Sequence, residues 1–293
     1  MVPGGLVVVD KPGGMTSHDV VSRMRRIAHT RRVGHAGTLD PMATGVLVLG
    51  VERATKLLGH LALSTKAYSA TIRLGASTVT DDAEGEPTGG APADGLSADD
   101  VRAAMGPLTG DIAQVPSAVS AIKVDGKRSY ARVRSGEAVD LAARAVTVSR
   151  FALLECGPAG AGCLDARVEV ECTTGTYVRA LARDLGAALG VGGHLTALRR
   201  TRVGPFTLGH AATLDALADS ADPIALPLGD AVALCFPRRD LTDDEAARLA
   251  NGGRLEPVGL PSPYGGFAPD GHVVALLQET DGLARPLVVL APA

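Results

Sequence analysis

The chain has no tryptophan in its 293 residues, and tyrosine and phenylalanine occur only four times each. With so few aromatic rings, any tyrosine that a strand turns inward carries extra weight as a candidate contact. The four cysteines, Cys156, Cys163, Cys172 and Cys235, show no C-x-x-C spacing and have no histidines placed to complete a zinc site. They read as reduced thiols, mostly buried, and not as a metal set or a disulfide framework. No apolar run approaches the length of a membrane span, and no basic stretch precedes Leu6-Val7-Val8-Val9, so a cytoplasmic protein that touches no membrane is expected. No dinucleotide fingerprint, phosphate loop or metal cluster is present, and no cofactor or metal is expected.

What is present is a globular composition, 46% hydrophobic and 21% charged, long enough for one large domain and one small one. The net charge of −3 gives no overall sign of nucleic-acid binding. Its distribution along the chain is uneven. After strand Leu6 to Val9 and the turn Asp10-Lys11-Pro12-Gly13-Gly14, Thr16 reads as the N-cap of a helix with Asp19 three residues on. Val20, Val21, Met24, Ile27 and Ala28 share one face of that helix. Arg23, Arg25, Arg26, Arg31 and Arg32 follow with no acid between Val20 and Leu39. Such a run serves as a solvated face in many proteins, but here it feeds directly into an unusual loop.

That loop runs from Gly34 through His35, Gly37, Asp40 and Pro41 to Gly45 and enters the apolar strand Val46 to Leu49. Its glycines permit positive φ, and Pro41 disfavours helical backbone at Asp40, so one carboxylate is presented on an irregular turn ahead of a buried strand. Taken alone, Asp40 could simply cap nearby amides. Farther on, Ala54 to Leu63 reads as a helix, and Lys66 to Leu74 alternates as a strand with Tyr68 turned inward. Residues 77–100 form an acidic, Gly- and Pro-rich connection, including Asp81 and Asp82, expected to be exposed and to face away from a polyanion. Ser97 caps a short helix. Residues 114–145, with Lys123, Lys127, Arg128, Arg132, Arg134 and Arg144, look like a basic insert projecting from the body.

Ala166 to Cys172 alternates as a strand, and a helix is expected from near Tyr177 to Gly190. Arg179 and Arg183 stand one turn apart near its start, where the helix dipole disfavours cations. That misfit marks a candidate functional position. Leu198-Arg199-Arg200 and Arg202 form a second basic cluster. Beyond a composition shift at 215–237, a capping box at Thr242 to Glu245 and two strands suggest a small, mostly β module.

Together these pieces resemble the TruB family of pseudouridine synthases, the bacterial type that modifies uridine 55 in the TΨC arm of transfer RNA. The segment from Asp10 to Ser17 is similar to the family's N-terminal motif, and Gly34 to Pro41 to its catalytic-aspartate motif. Lys66-Ala67-Tyr68, Gly175 to Arg179 and Leu198-Arg199-Arg200 match three more in the family's order. The resemblance implies an α+β fold, with a mixed, largely antiparallel catalytic sheet flanked by helices and carrying an inserted RNA-gripping thumb. It places the catalytic domain at 1–229 with the thumb at about 114–145, and a PUA-like RNA-binding domain at 230–293. It makes Asp40 the essential carboxylate, Tyr68 the base-stacking ring and Arg179 the partner of Asp40. Tyr177 and Leu198 would line the pocket and His35 would hold the extruded RNA conformation. Lys11, Arg31, Arg32, Lys123 and Arg199 would contact the RNA. The expected partner is the TΨC stem-loop of transfer RNA, met by a monomer. Val79 and Pro116-Ser117 depart from the family's usual residues, which affects loop detail and not the reaction class.

Three other readings compete. A transfer RNA chaperone could share the fold, a guide-dependent synthase could share the aspartate motif, and a hydrolase could use a lone carboxylate. Asp40, Tyr68 and Arg179 argue against pure binding, the basic insert favours a stand-alone enzyme, and no motif supplies the second carboxylate that a hydrolase needs.

Overall fold

A computed structural model describes residues 4–62, 64–118 and 141–292, and the backbone alone at 123–124 and 127–128. In chain order the elements begin β1 (Gly5–Lys11), α1 (Ser17–Ile27), β2 (Val33–His35), β3 (Thr44–Val51), α2 (Leu58–Leu61) and β4 (Lys66–Leu74). They continue β5 (Ser77–Thr78), β6 (Pro87–Gly89), α3 (Ala98–Met105), β7 (Gly110–Gln114), β8 (Lys123–Val124), β9 (Lys127–Arg128), β10 (Arg144–Gly160) and β11 (Cys163–Cys172). Next come α4 (Val178–Ala188), β12 (Gly193–Val203), β13 (Phe206–Thr207), α5 (Leu214–Asp219), β14 (Leu226–Pro227) and α6 (Leu228–Cys235). The last are β15 (Arg238–Asp240), α7 (Asp243–Ala250), β16 (Tyr264–Phe267), β17 (Val273–Thr280) and β18 (Leu283–Val289).

Contacts divide the chain into two bodies. One comprises Met1–Pro41, Gly45–Ala62 and Gly204–Ala293, the other Met42–Thr44 and Leu63–Val203. In the first body β1 runs antiparallel to β3 with Val8 opposite Val48, and β14 and β2 extend the set from β1 and β3. Both faces of β3 are covered, which is why residues 45–51 read as an unbroken apolar run and not as an alternating strand. The same body carries a four-stranded sheet, β15-β16-β17-β18, parallel at its first pair and antiparallel after it. Leu241, Leu249, Tyr264, Leu277 and Ala284 form its core.

In the second body the strands follow the order β12-β4-β11-β10-β7, antiparallel at every step. β4 buries Lys66, Tyr68, Ala70, Ile72 and Leu74 and leaves the residues between them half-covered, as its alternation requires. α4 packs against β12. Gln114, the last residue of β7, is opposite Arg144, the first of β10, so the two ends of the basic insert meet across a strand pair. Within the insert the backbone of 123–124 pairs with that of 127–128. Arg132, Arg134 and the side chains of Lys123, Lys127 and Arg128 lie outside the described residues.

The caps at Thr16, Ser97 and Thr242 form as expected, each a reciprocal box with an acid three residues on. Two local expectations are corrected. The stretch expected as one helix from Ala54 is a 3-10 turn, Glu52–Leu57, followed by the single turn of α2. Glu52 takes positive φ, and the Thr55 hydroxyl donates to the Glu52 carbonyl at 2.7 Å, a local bond that competes with a regular α start. The acidic connection is also not wholly exposed, because Asp81 and Asp82 are buried.

Candidate active site

The Asp40 turn is built in the first body. Gly37 has φ +87° and Gly45 φ +99°, values that only glycine adopts without strain, so the chain reverses on either side of Asp40 as the loop composition predicts. What immobilises the turn is the segment from Lys11 to Ser17. The Leu39 amide donates to the Ser17 hydroxyl oxygen at 2.8 Å, and that hydroxyl donates to the Leu39 carbonyl at 3.1 Å. On the other side of Asp40, the Pro41 carbonyl accepts from the Gly14 amide at 2.9 Å and from Lys11 Nζ at 3.1 Å. Both peptide neighbours of the carboxylate are therefore tied to one short motif at the N-terminal end of α1. The apolar strand supplies a further anchor, with the Ala36 amide donating to the Val48 carbonyl at 2.9 Å.

Lys11 thereby acquires a role other than the expected RNA contact. It is fully buried, and its ammonium also donates to the carbonyls of Pro12 at 2.9 Å and Met15 at 2.6 Å. Three carbonyls take three ammonium protons, leaving none for a phosphate. Arg23 is half-exposed and pairs with Asp215 of α5 at the surface. Arg31 and Arg32 remain exposed, and the Arg32 side chain is 76% accessible although it lies 3.5 Å from Glu52. His35 ends β2, opposite Leu49.

The second body brings Tyr68, Leu198 and Arg200 to one buried sheet face. Tyr68 is opposite Arg200 on β12 and Val170 on β11, and Leu198 is opposite Ala70, two residues along β4. Arg200 is 1% exposed, so it belongs to this interior face and not to a phosphate-gripping cluster. Arg202 pairs with Glu171 at 2.8 Å. Arg199 points to the other face, its Nη1 donating to Thr44 Oγ1 at 3.2 Å.

Arg179 and Arg183, the cations at the wrong end of α4, are answered from the connection after β4. Arg179 donates to the Thr80 carbonyl at 2.7 Å and lies 3.5 Å from the Asp82 carboxylate, with both side chains buried. Arg183 lies 3.5 Å from the Asp81 carboxylate and donates to the Val115 carbonyl at 2.7 Å. Burial pushes the Asp81 carboxyl above its usual range, against the opposing pull of Ser117 and Arg183. Two adjacent acids thus meet two cations one helical turn apart. Asp82 reads from the sequence only as an exposed loop acid, and Ser17 only as the end of a motif. The signal that could have found Asp82 is that pair of cations without a local acid.

Each body, taken by itself, thus carries part of what the sequence motifs mark: a rigidly held Asp40 turn in the first and a buried sheet face with Tyr68, Leu198 and Arg200 in the second. The family description "TruB family pseudouridylate synthase (N terminal domain)" matches residues 25–178, and "tRNA Pseudouridine synthase II, C terminal" matches 236–291. A further match, "tRNA pseudouridylate synthase B C-terminal domain", spans 179–225. The chain belongs to the TruB family of pseudouridylate synthases. It is 63% identical over 289 residues to a Nocardia farcinica protein named tRNA pseudouridine synthase B, covering 99% of this chain and 94% of that one. The Mycolicibacterium paratuberculosis protein of that name is 60% identical over 293 residues, covering 100% and 99%. Among solved structures, a Cbf5-Nop10-Gar1 complex contains a chain with TM-score 0.74 and 26% identity, covering 98% of this chain and 85% of that one. Among the described residues, no helix is long and apolar enough to cross a membrane.

Proposed function

We propose that this protein converts uridine 55 to pseudouridine in the TΨC loop of transfer RNA, with Asp40 as the essential carboxylate. The observation that carries the reading is the fixed Asp40 turn, with the peptide units on both sides of the carboxylate held by Ser17, Gly14 and Lys11. A group held this way enters the reaction already oriented, which is where much of an enzyme's advantage lies. The reaction is an isomerisation. The bond from N1 of uracil to C1′ of the ribose breaks, C5 bonds to C1′, C5 gives up its proton and N1 gains one.

We assign Tyr68 as the platform for the displaced uracil, since base stacking on an aromatic ring contributes on the order of 1–3 kcal/mol. Tyr177 and Leu198 line the pocket, Arg179 is the cation that serves the Asp40 carboxylate, and His35 holds the RNA open. Flipping the base costs a few kcal/mol, offset by contacts along the RNA backbone. Arg31, Arg32, Lys123 and Arg199 supply those contacts. Residues 1–229 act as the catalytic domain, with the thumb at about 114–145, and residues 230–293 as a PUA-like RNA-binding domain, supported by the family match over 236–291. The enzyme works as a monomer in the cytoplasm.

The guide-dependent alternative is weakened by identities of 60–63% to proteins named tRNA pseudouridine synthase B, against 26% to a chain of a Cbf5-Nop10-Gar1 complex. Purified protein incubated with a bare TΨC stem-loop carrying tritium at C5 of the target uridine tests the choice. Tritium release without any guide RNA is expected. No release from the bare stem-loop would contradict the proposal.

A further inference from the structure

α4 begins differently from the other capped helices. At α1, α3 and α7 a Thr or Ser caps its own helix, whereas Tyr177, the N-cap of α4, makes no capping bond with its side chain. In those three helices the N-cap amide also bonds the acid three residues on, whereas the Tyr177 amide finds its acceptor 63 residues away. The Tyr177 amide donates to Gln114 Oε1 at 2.8 Å, and Gln114 Nε2 donates back to the Tyr177 carbonyl at 3.1 Å. Gln114 is 2% exposed, so water cannot replace either bond. The next residue is gripped by the same helix, through Arg183 to the Val115 carbonyl. Two consecutive residues at the entry to the basic insert are therefore fastened to the helix that carries Tyr177 and Arg179.

We propose that Gln114 is a positioning residue for pseudouridine formation. Its buried carboxamide sets the main chain of Tyr177, and through it the first turn of α4, in register with the entry to the insert. The inference rests on the roles assigned above to Tyr177 and Arg179. It goes beyond them in making the insert's grip on RNA and the alignment of pocket residues one mechanical unit.

Two variants of the full-length protein test it. Gln114→Met keeps the shape and removes both bonds. The expected result is a fall in kcat on the order of 10- to 100-fold, as for a small misplacement of reacting groups, with RNA affinity nearly unchanged. Gln114→Glu separates positioning from mere packing. Ionised, the carboxyl still accepts from the Tyr177 amide but sets a lone pair against the Tyr177 carbonyl; protonated, it donates there as the amide does. Arg144, opposite Gln114 on β10, and Arg183, which bonds the Val115 carbonyl and is itself paired with Asp81 and Asp184, are the charged groups that bear on the midpoint of this change. The ratio of Gln114→Glu to wild-type kcat should rise as pH falls, while the Gln114→Met ratio stays flat.

Wild-type kcat in Gln114→Met, a flat pH ratio in Gln114→Glu, or a loss lying wholly in KM would overturn the inference. If Gln114→Met does not fold, the pH ratio of Gln114→Glu decides alone. Failure of the wild type to release tritium would instead strike the proposed function.

Discussion

One hydroxyl, that of Ser17, makes hydrogen bonds to both the amide and the carbonyl of Leu39, at 2.8 and 3.1 Å, and so fixes the residue immediately before Asp40. Lys11 and Gly14 fix the residue immediately after it. The N-terminal motif is thus a clamp on the Asp40 turn. Ser17→Ala should strand a buried amide and carbonyl, at about 1–3 kcal/mol of stability, and lower kcat at least tenfold without changing RNA affinity. Lys11→Met should behave the same way. Single-turnover rates beside filter-binding affinities check both, and a Lys11→Met variant that loses RNA affinity at unchanged kcat would restore Lys11 as an RNA contact.

Asp82 faces Arg179 where neither reaches solvent. Removing one partner of a buried pair costs on the order of 3–5 kcal/mol, because the other charge stays behind. Asp82→Leu should therefore lower both the thermal midpoint and kcat. Arg179→Lys, which keeps the charge but loses the planar fork, should also lose activity. Calorimetry and the tritium assay read the two effects, and an Asp82→Leu protein with full activity would show that this contact does not position Arg179.

Asp81 gives a pH signature. Burial raises its carboxyl, so the fold favours the protonated form. A group raised in this way contributes stability that is fully present below its unfolded pKa and is lost as pH rises through the folded value. At neutral pH, Asp81→Asn should unfold at a higher temperature than wild type, and the difference should close as pH drops through the acidic range. Melting curves at several pH values decide it; a gap that widens on acidification would reverse the sign.

Arg31 and Arg32 are exposed in an acid-free run. Replacing both with Ala should weaken RNA binding and reduce the slope of log affinity against log salt by about one to two. An unchanged slope would make the run a solvated face.

Much of the fold was legible because its signals are local. The alternation of Lys66 to Leu74 marked β4 at its true bounds, and Thr16, Ser97 and Thr242 announced their helices through the acid three residues on. The residues that proved hard to place are those whose surroundings come from distant chain. Asp81 and Asp82 sit in a Gly- and Pro-rich stretch that looks solvated until Arg179 and Arg183 are set against it. Lys11 and Arg200 look available to RNA in the linear sequence because a basic side chain there shows its charge and not its burial. Gln114, a neutral residue at a strand end, carries no local mark of the bond it makes 63 residues on.

The central claim is that Asp40 performs the chemistry while other residues hold the RNA. Asp40→Asn, which keeps the shape and removes the charge, should bind the TΨC stem-loop with near-normal affinity and release no tritium from C5 of the target uridine. Measurable release by that variant would contradict the account.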